Sequence, residues 1–231
     1  MRLHRFFVKS ALVPGRDNSL SDARLVHQIR RVFRLHAGDS VIFFDGSGVD
    51  YVSEIVSMTD EKLTFKIVET QPVKREAKRT IVLAVSLIKK DNFEWVIQKG
   101  TELGVSEFIP LISERSEKKG FNRDRAEKIM IEACEQSGRA EVPVIREPMA
   151  FADFVKEEKR GMVAFHTHGT ALSLEDIGET GEIVACIGPE GGWTDAEAEV
   201  FKEKGAAIVK LGTPVLRAET AAIAAATLLL V

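Results

Sequence analysis

Two glycine-bearing loops near the end of the sequence hold the residues best suited to chemistry. They are Gly188-Pro189-Glu190-Gly191-Gly192-Trp193-Thr194 and Leu211-Gly212-Thr213-Pro214-Val215-Leu216-Arg217. Each comes at the end of an apolar run of strand type, Glu182 to Ile187 and Ala207 to Leu211. Glycine at a strand end lets backbone amides and carbonyls approach a ligand with no side chain between, and open α/β sheets bind small molecules just beyond the carboxyl ends of their strands. Neighbouring strand ends would build one pocket. Arg217 adds a fixed positive charge that suits anion stabilisation and is too basic to accept a proton. Gly188 to Gly192 lacks the lysine and hydroxyl of a phosphate-binding P-loop and is not the dinucleotide glycine fingerprint, which argues against a nucleoside triphosphate or a nicotinamide.

Other chemistry-bearing residues fall into small clusters. His166-Thr167-His168 puts two imidazoles on one side of an extended chain, but no third ligand is evident and no metal is expected. Cys134 and Cys186 lie far apart within apolar patterns, as small core residues do, and suggest neither a disulfide nor redox chemistry. Arg115 follows a strand end, while Glu132, Gln136 and Arg139 share a helical neighbourhood. A polar site assembled from these residues is one reading and surface polarity is the other.

The elements that must position these residues change character along the chain. The first seventy or so residues read as short strands, Phe6 to Val8, Ser40 to Phe44, Tyr51 to Val56 and Leu63 to Val68, with a hairpin turn at Asp45-Gly46-Ser47-Gly48. One helix interrupts them over Asp22 to Leu35, with Leu25, Ile29, Val32 and Phe33 on its apolar side. This is a small β-barrel carrying one helix. A charged segment with proline, Gln71 to Arg79, marks the linker, giving an N-terminal domain over 1–72 and a second over 73–231. Strands and helices then alternate: strand Ile81 to Ile88, helix Asp91 to Leu103, strand Val105 to Ile112, and a helix from Asn122 to Ser137 with a buried stripe of Ala126, Ile129, Met130, Ala133 and Cys134. Short strands at Val142 to Ile145 and Met162 to His166 flank a helix at Phe151 to Lys159. Thr194 opens a helix through a capping box with Glu197, and an alanine-rich helix fills Glu219 to Val231. Such alternation implies a mostly parallel sheet covered by helices on both faces.

The 231 residues carry a net charge of only -3, which masks a basic start. Up to Ser40 the residues Arg2, Arg5, Lys9, Arg16, Arg24, Arg30, Arg31 and Arg34 face only Asp17, Asp22 and Asp39. A phosphate-binding surface and a solvated helix face both fit this pattern. No apolar run is long enough to span a bilayer and the start does not suit a signal peptide, so a cytoplasmic protein without membrane contact is expected.

The motifs taken in order resemble one family. Gln98-Lys99-x-Thr101-Glu102-Leu103-Gly104, Glu114-Arg115-Ser116, Glu132-x-x-Glu135-Gln136-Ser137-x-Arg139, Gly188 to Gly192 and Leu216-Arg217-x-Glu219-Thr220-Ala221, with His4-Arg5-Phe6-Phe7 and Val32-Phe33-Arg34-Leu35 at the start, are similar to the RsmE family of ribosomal RNA methyltransferases. Trp193 and Phe33 stand where phenylalanine and leucine are more usual in that family. The resemblance implies an N-terminal PUA-like β-barrel and a SPOUT-type α/β domain with a C-terminal trefoil knot, which general topology rules disfavour. It further implies transfer of a methyl group from S-adenosylmethionine to N3 of a uridine in 16S rRNA of the small ribosomal subunit, by a homodimer.

In that reading His166, Gly188, Pro189, Glu190, Gly191, Gly192, Leu211, Gly212 and Leu216 hold the cofactor, and Arg217 is catalytic through its contact with the base. Arg5, Arg30, Arg31, Arg34, Arg115 and Arg139 meet RNA, and the terminal run Leu228 to Val231 is buried in the dimer. The proton acceptor stays open among Glu219, Glu102 and solvent. Two further readings remain: a noncatalytic RNA-binding or assembly protein, and an unrelated small-molecule α/β enzyme that would leave the basic segment without a role.

Overall fold

Alternating inward residues and turn glycines build a five-stranded sheet in the first unit of the chain. The computed structural model describes residues 3–73, 79–117, 121–173 and 181–230, so residues 74–78 of the expected linker lie outside the described residues, as do Arg2 and Val231. The chain divides into two compact units, Met1–Arg75 with Cys134–Val142, and Glu76–Ala133 with Pro143–Val231.

In the first unit, β1 (Arg5–Phe7), β2 (Asp17–Leu20), β3 (Ser40–Phe44), β4 (Val49–Met58) and β5 (Leu63–Pro72) are ordered β1-β3-β4-β5-β2, with β1 parallel to β3 and the remaining pairs antiparallel. Register shifts between Val52 and Ser53 and between Ile55 and Ser57 mark bulges, which add twist and bend a sheet around its core. Phe6, Phe43 and Phe65 fill that core with Ile29 and Leu63. Phe44, one residue on from Phe43, faces the other way as period-two geometry demands. It is covered by Cys134 and Ala140 from the segment that joins this unit.

The expected helix at Asp22 to Leu35 takes a different form. Asp22 caps α1 (Ala23–His27) by accepting from the backbone of Arg24 and Leu25, and the chain then widens into a π-helical turn over Gln28–Val32. The N–H of Phe33 reaches back to the carbonyl of Gln28. An extra residue per turn rotates everything after it. Leu25 and Ile29 stay buried, whereas Val32, expected on the apolar side, is 64% exposed.

In the second unit, β6 (Arg79–Ser86), β7 (Glu107–Ile112), β8 (Val144–Ile145), β10 (Gly161–Ala171), β11 (Gly181–Ile187) and β12 (Ala207–Lys210) run parallel in the order β12-β10-β11-β6-β7-β8, with the two-residue strand β9 (Met149–Ala150) beside β7. Central strands covered on both faces read as continuous apolar runs, as Ile81 to Val85 and Ile183 to Ile187 do. One face, with Val82, Ala84, Val184 and Cys186, packs against α4 (Phe151–Glu157) and α5 (Asp195–Glu203) through Phe154 and Phe201. On the other, α6 (Ala218–Leu230) lies against β6, β11 and α2 (Lys90–Leu103). A Cβ on Gly100 of α2 would stand 2.8 Å from the ring of Phe108, so only glycine permits this approach. The expected stripe of α3 (Arg123–Ser137) is buried throughout, and Asn122 accepts from the backbone of Arg125 at the start of that helix.

Ion pairs gather at the amino ends of these strands, away from the loops that matter for binding. Arg160 pairs with Glu158, Glu107 and Glu182, and Glu107 also meets Arg146. Burial pushes the Glu158 carboxyl up, but the hydrogen bonds and charge of Arg160 outweigh this and hold it at about 2 against an ordinary 4.5. A carboxyl held down in the folded state stabilises the fold above its unfolded value, and that stability is lost as pH falls through the folded value. Arg160→Met is therefore expected to flatten the fall in melting temperature between pH 4.5 and about 2, as followed by circular dichroism.

Candidate functional site

The carboxyl ends of three adjacent strands, β10, β11 and β12, and the loop leading into α6 enclose a cavity of about 410 Å³. Gly188 to Gly192 form one wall after β11, Leu211 to Leu216 another after β12, and His166 stands at the third strand. Every residue expected at the cofactor, and Arg217, lines this single space. The adjacency comes from strand order: β10 pairs with both β11 and β12, although β11 and its loop separate β10 from β12 in the chain.

His166 reaches the cavity through an irregularity that periodicity does not reveal. The strand expected to stop at His166 continues to Ala171, and both Phe165 and Thr170 lie opposite Val209, so His166 to Gly169 bow out of the ladder. A Cβ on Gly169 would fall 2.5 Å from the Val209 carbonyl carbon, which explains glycine at this approach. The backbone N–H of His168 donates to Nδ1 of His166 at 3.1 Å. With Nδ1 accepting, the neutral ring carries its proton on Nε2, and His166 presents a donor rather than a base.

The glycine loop is shaped locally. Gly192 N–H donates to the Pro189 carbonyl at 2.8 Å, closing a turn, and Gly192 itself has φ +68, the left-handed region that glycine enters without strain. Trp193 packs its buried indole against Phe151 and Phe201, which also touch each other, and anchors the loop in the core. Thr194 then caps α5 with the expected box, its hydroxyl accepting from Glu197 N–H while the Glu197 carboxylate accepts from Thr194 N–H.

Arg217 stands one residue before α6, where its carbonyl accepts the N–H of Ala221 at 2.8 Å. Its side chain is exposed and takes no ion pair among the described residues, leaving the guanidinium available at the cavity wall. The carboxylates named as proton acceptors do not line the cavity: Glu102 is held by Lys99 Nζ at 2.8 and 2.9 Å, and Glu219 has one carboxylate oxygen buried. Among the described residues, Glu190 is the carboxylate that does line it.

The arginines expected at RNA separate into different environments. Arg5 requires a correction: it is 9% exposed, its guanidinium pairs with Asp50, stacks 5.0 Å from the Phe44 ring centre and donates to the Arg139 carbonyl at 2.9 Å. A charge buried beside a carboxylate serves the fold of the first unit and cannot reach a phosphate. Arg30 pairs with Asp60 at the surface, while Arg31 and Arg34 are exposed and unpaired among the described residues. Arg139 is half-buried in the first unit. Arg115 belongs to the second unit, where it donates to the Gly191 carbonyl at 2.8 Å. Of the other residues in the expected polar grouping, Glu132 lies 3.7 Å from Lys128.

No group of three or more metal-ligating side chains occurs among the described residues. Both cysteines are buried in the core, and burial raises the Cys134 thiol to about 11 and pushes Cys186 higher still, so neither is a thiolate nucleophile. No helix among the described residues is long and apolar enough to cross a membrane.

Comparison with known proteins matches this architecture. Residues 75–230 match the RNA methyltransferase domain family, and residues 22–68 match the RNA methyltransferase PUA domain. The chain is 31% identical to a ribosomal RNA small subunit methyltransferase E from Rickettsia conorii, over 97% of this chain and 94% of that one. A crystal structure of a ribosomal RNA small subunit methyltransferase E from Neisseria gonorrhoeae bound to S-adenosyl methionine superposes with a TM-score of 0.89 at 30% identity, covering 98% of this chain and 96% of that one. A Legionella pneumophila methyltransferase in complex with bound SAM gives 0.90 at 29%, covering 99% and 97%. With an α/β fold of SPOUT type, a PUA-like first unit and relatives that match nearly its whole length, the chain belongs to the RsmE family of ribosomal RNA small-subunit methyltransferases.

Proposed function

We propose that this chain catalyses methyl transfer from S-adenosylmethionine to N3 of a uridine in 16S rRNA of the small ribosomal subunit, and that the cavity at the ends of β10, β11 and β12 is the cofactor site. The observation that carries this reading is the convergence of two glycine loops and Arg217 on one space of about 410 Å³, within the range of small-molecule sites. The lining suits the group: Gly188, Gly191, Gly192 and Gly212 offer bare backbone, Leu211, Pro214 and Leu216 offer apolar contact for a base, and His166 Nε2–H offers a donor. When bound, S-adenosylmethionine supplies a methyl group already activated on a sulfonium.

The work left to the chain is alignment and charge. Arg217 places a permanent cation where the carbonyl oxygens of the uridine would lie, and so stabilises the negative charge that develops as N3 loses its proton. The loops after β11 and β12 hold the donor in register with that base. A purely RNA-binding or assembly protein would leave the cavity and its arginine without a role.

In this reading residues 1–72 serve as the RNA-binding module and residues 73–231 as the methyltransferase. Arg31 and Arg34 make the phosphate contacts, with Arg30 able to exchange Asp60 for a phosphate. The protein acts as a cytoplasmic homodimer through its C-terminal domain, a reading supported by the 44% exposure of Leu228 near the end of α6. The trefoil knot belongs to the same reading, supported by placement of the last strand, β12, outside β10 with its loop turned back on the cavity.

The test is transfer of labelled methyl from S-adenosylmethionine to small ribosomal subunits from a strain lacking the enzyme, with the modified base mapped. Label at N3 of one uridine is the expected result, and no incorporation by the pure protein rejects the reading. In the same preparation, the Arg31→Gln, Arg34→Gln double variant should reduce the slope of log affinity against log salt by about 2, since each lost phosphate contact removes roughly one released counterion.

A further inference from the structure

We propose that Glu197 and Arg115 are positioning residues for the glycine loop, tying the turn after β7 to the loop after β11 so that cofactor affinity depends on two side chains absent from the cavity lining. The proposal rests on the reading of the cavity as the S-adenosylmethionine site.

Glu197 is the third residue of α5 and 7% exposed. A capping box requires one carboxylate oxygen, and here Oε2 fills that role, accepting from Thr194 N–H at 2.8 Å and from its hydroxyl at 3.2 Å. Oε1 does something the box does not need: it accepts the backbone N–H of Glu114, 83 positions earlier, at 3.0 Å. One residue on from Glu114, Arg115 Nη1 donates to the carbonyl of Gly191 at 2.8 Å. The side chain of Arg115 also fills the space beside Gly191, where an added Cβ would lie 3.2 Å from its Cδ and 3.3 Å from its Cβ.

These bonds close a ring from Glu114 through Glu197 and Thr194 to Gly191 and back through Arg115. The stretch from Gly191 to Trp193 that lines the cavity is held within it. That stretch is neither helix nor strand, so it has no ladder to set its path, and its own backbone turn contributes the Gly192 to Pro189 bond alone. A buried carboxylate bonded to two backbone segments constrains both, because leaving either N–H without its acceptor is costly. Arg115, although exposed, thereby spends its directed hydrogen bond on a protein carbonyl.

Calorimetric titration of the full-length protein with S-adenosylhomocysteine, together with melting temperature and RNA affinity, tests this. Glu197→Gln keeps one acceptor oxygen, enough for the cap, but presents an amide N–H₂ to the second N–H. It should raise the dissociation constant for S-adenosylhomocysteine about tenfold or more, the equivalent of one hydrogen bond to a charged group. The KM for S-adenosylmethionine should rise with it while kcat changes by less than about twofold. Thr194→Ala removes the hydroxyl of the cap and leaves the Glu114 bond in place, so it should lower the melting temperature with little change in ligand affinity.

Arg115→Lys preserves charge without the planar fork and, on an exposed residue, does not threaten folding. It should weaken S-adenosylhomocysteine binding about fivefold and leave RNA affinity unchanged. Binding by Glu197→Gln equal to wild type, or an equal loss in Thr194→Ala, would make Glu197 a helix cap only. Weakened RNA binding with unaltered ligand binding in Arg115→Lys would overturn the role of Arg115. Wild-type protein that fails to bind S-adenosylhomocysteine rejects the cofactor reading itself, an outcome distinct from both.

Discussion

Replacing Arg217 by alanine is expected to lower methyl transfer about a hundredfold or more while leaving the fold and cofactor affinity close to normal. The size follows from what is lost: a preorganised cation aimed at charge that exists only as N3 deprotonates, an interaction of the kind whose removal typically costs ~10²–10³ in rate. Structural damage should be small, since the side chain is exposed and makes no ion pair among the described residues, and its helix-starting role belongs to the backbone carbonyl, which alanine keeps. Single-turnover transfer to small ribosomal subunits, with S-adenosylhomocysteine calorimetry on the same protein, separates the two effects. Arg217→Lys should recover only a small part of the rate, because a point charge on a flexible stem lacks the planar pair of donors. Turnover near normal in the alanine protein would remove this residue from the chemistry.

Gly192→Val should fail in the opposite way, losing cofactor binding first. No heavy atom lies within 4 Å of a Cβ built at this position, so crowding is not the obstacle; the backbone is, with φ +68 in a region that a β-branched residue rarely enters. The strain must be relieved by moving the turn in which Gly192 donates to Pro189, and that turn forms a cavity wall. A strained residue of this kind costs about 1–3 kcal/mol. The expected result is a dissociation constant for S-adenosylhomocysteine raised at least about tenfold, with kcat at saturating cofactor much less affected. Gly191→Val meets a different obstacle, the Arg115 side chain 3.2 Å away. A Gly192→Val protein that binds the ligand as wild type does would show that the turn does not bear on the cofactor.

Several elements are legible without any structure because the signal is local. The stripe Ala126, Ile129, Met130, Ala133 and Cys134 repeats with the helical period and is buried. Thr194 and Glu197 form the box that their spacing announces, and Ile183 to Ile187 is a central strand of a parallel sheet, as its unbroken apolar run implies. Local signals fail where the backbone departs from its regular period. The π-helical turn at Gln28–Val32 leaves no mark in the spacing of apolar residues, so Val32 is read on the wrong side. The bowed segment in β10 hides the extension of that strand past His166 for the same reason.

By itself the sequence determined the alternation of elements, the two glycine loops, the identity of Arg217 as the cation beside them and, through ordered motifs, the family. These depend on residue types at short spacing, where propensity, patterning and turn chemistry act. Only the tertiary structure decided that β10 lies between β11 and β12, so that loops far apart in the chain share one cavity. It also decided the fate of individual charges: Arg5, grouped by composition with the surface arginines, is buried against Asp50, and Arg115 turns to Gly191. A charge in a sequence has no environment. Its role is set by which carboxylate or carbonyl the fold brings to it, and the partners here lie 45 and 76 positions away, beyond the reach of any local pattern.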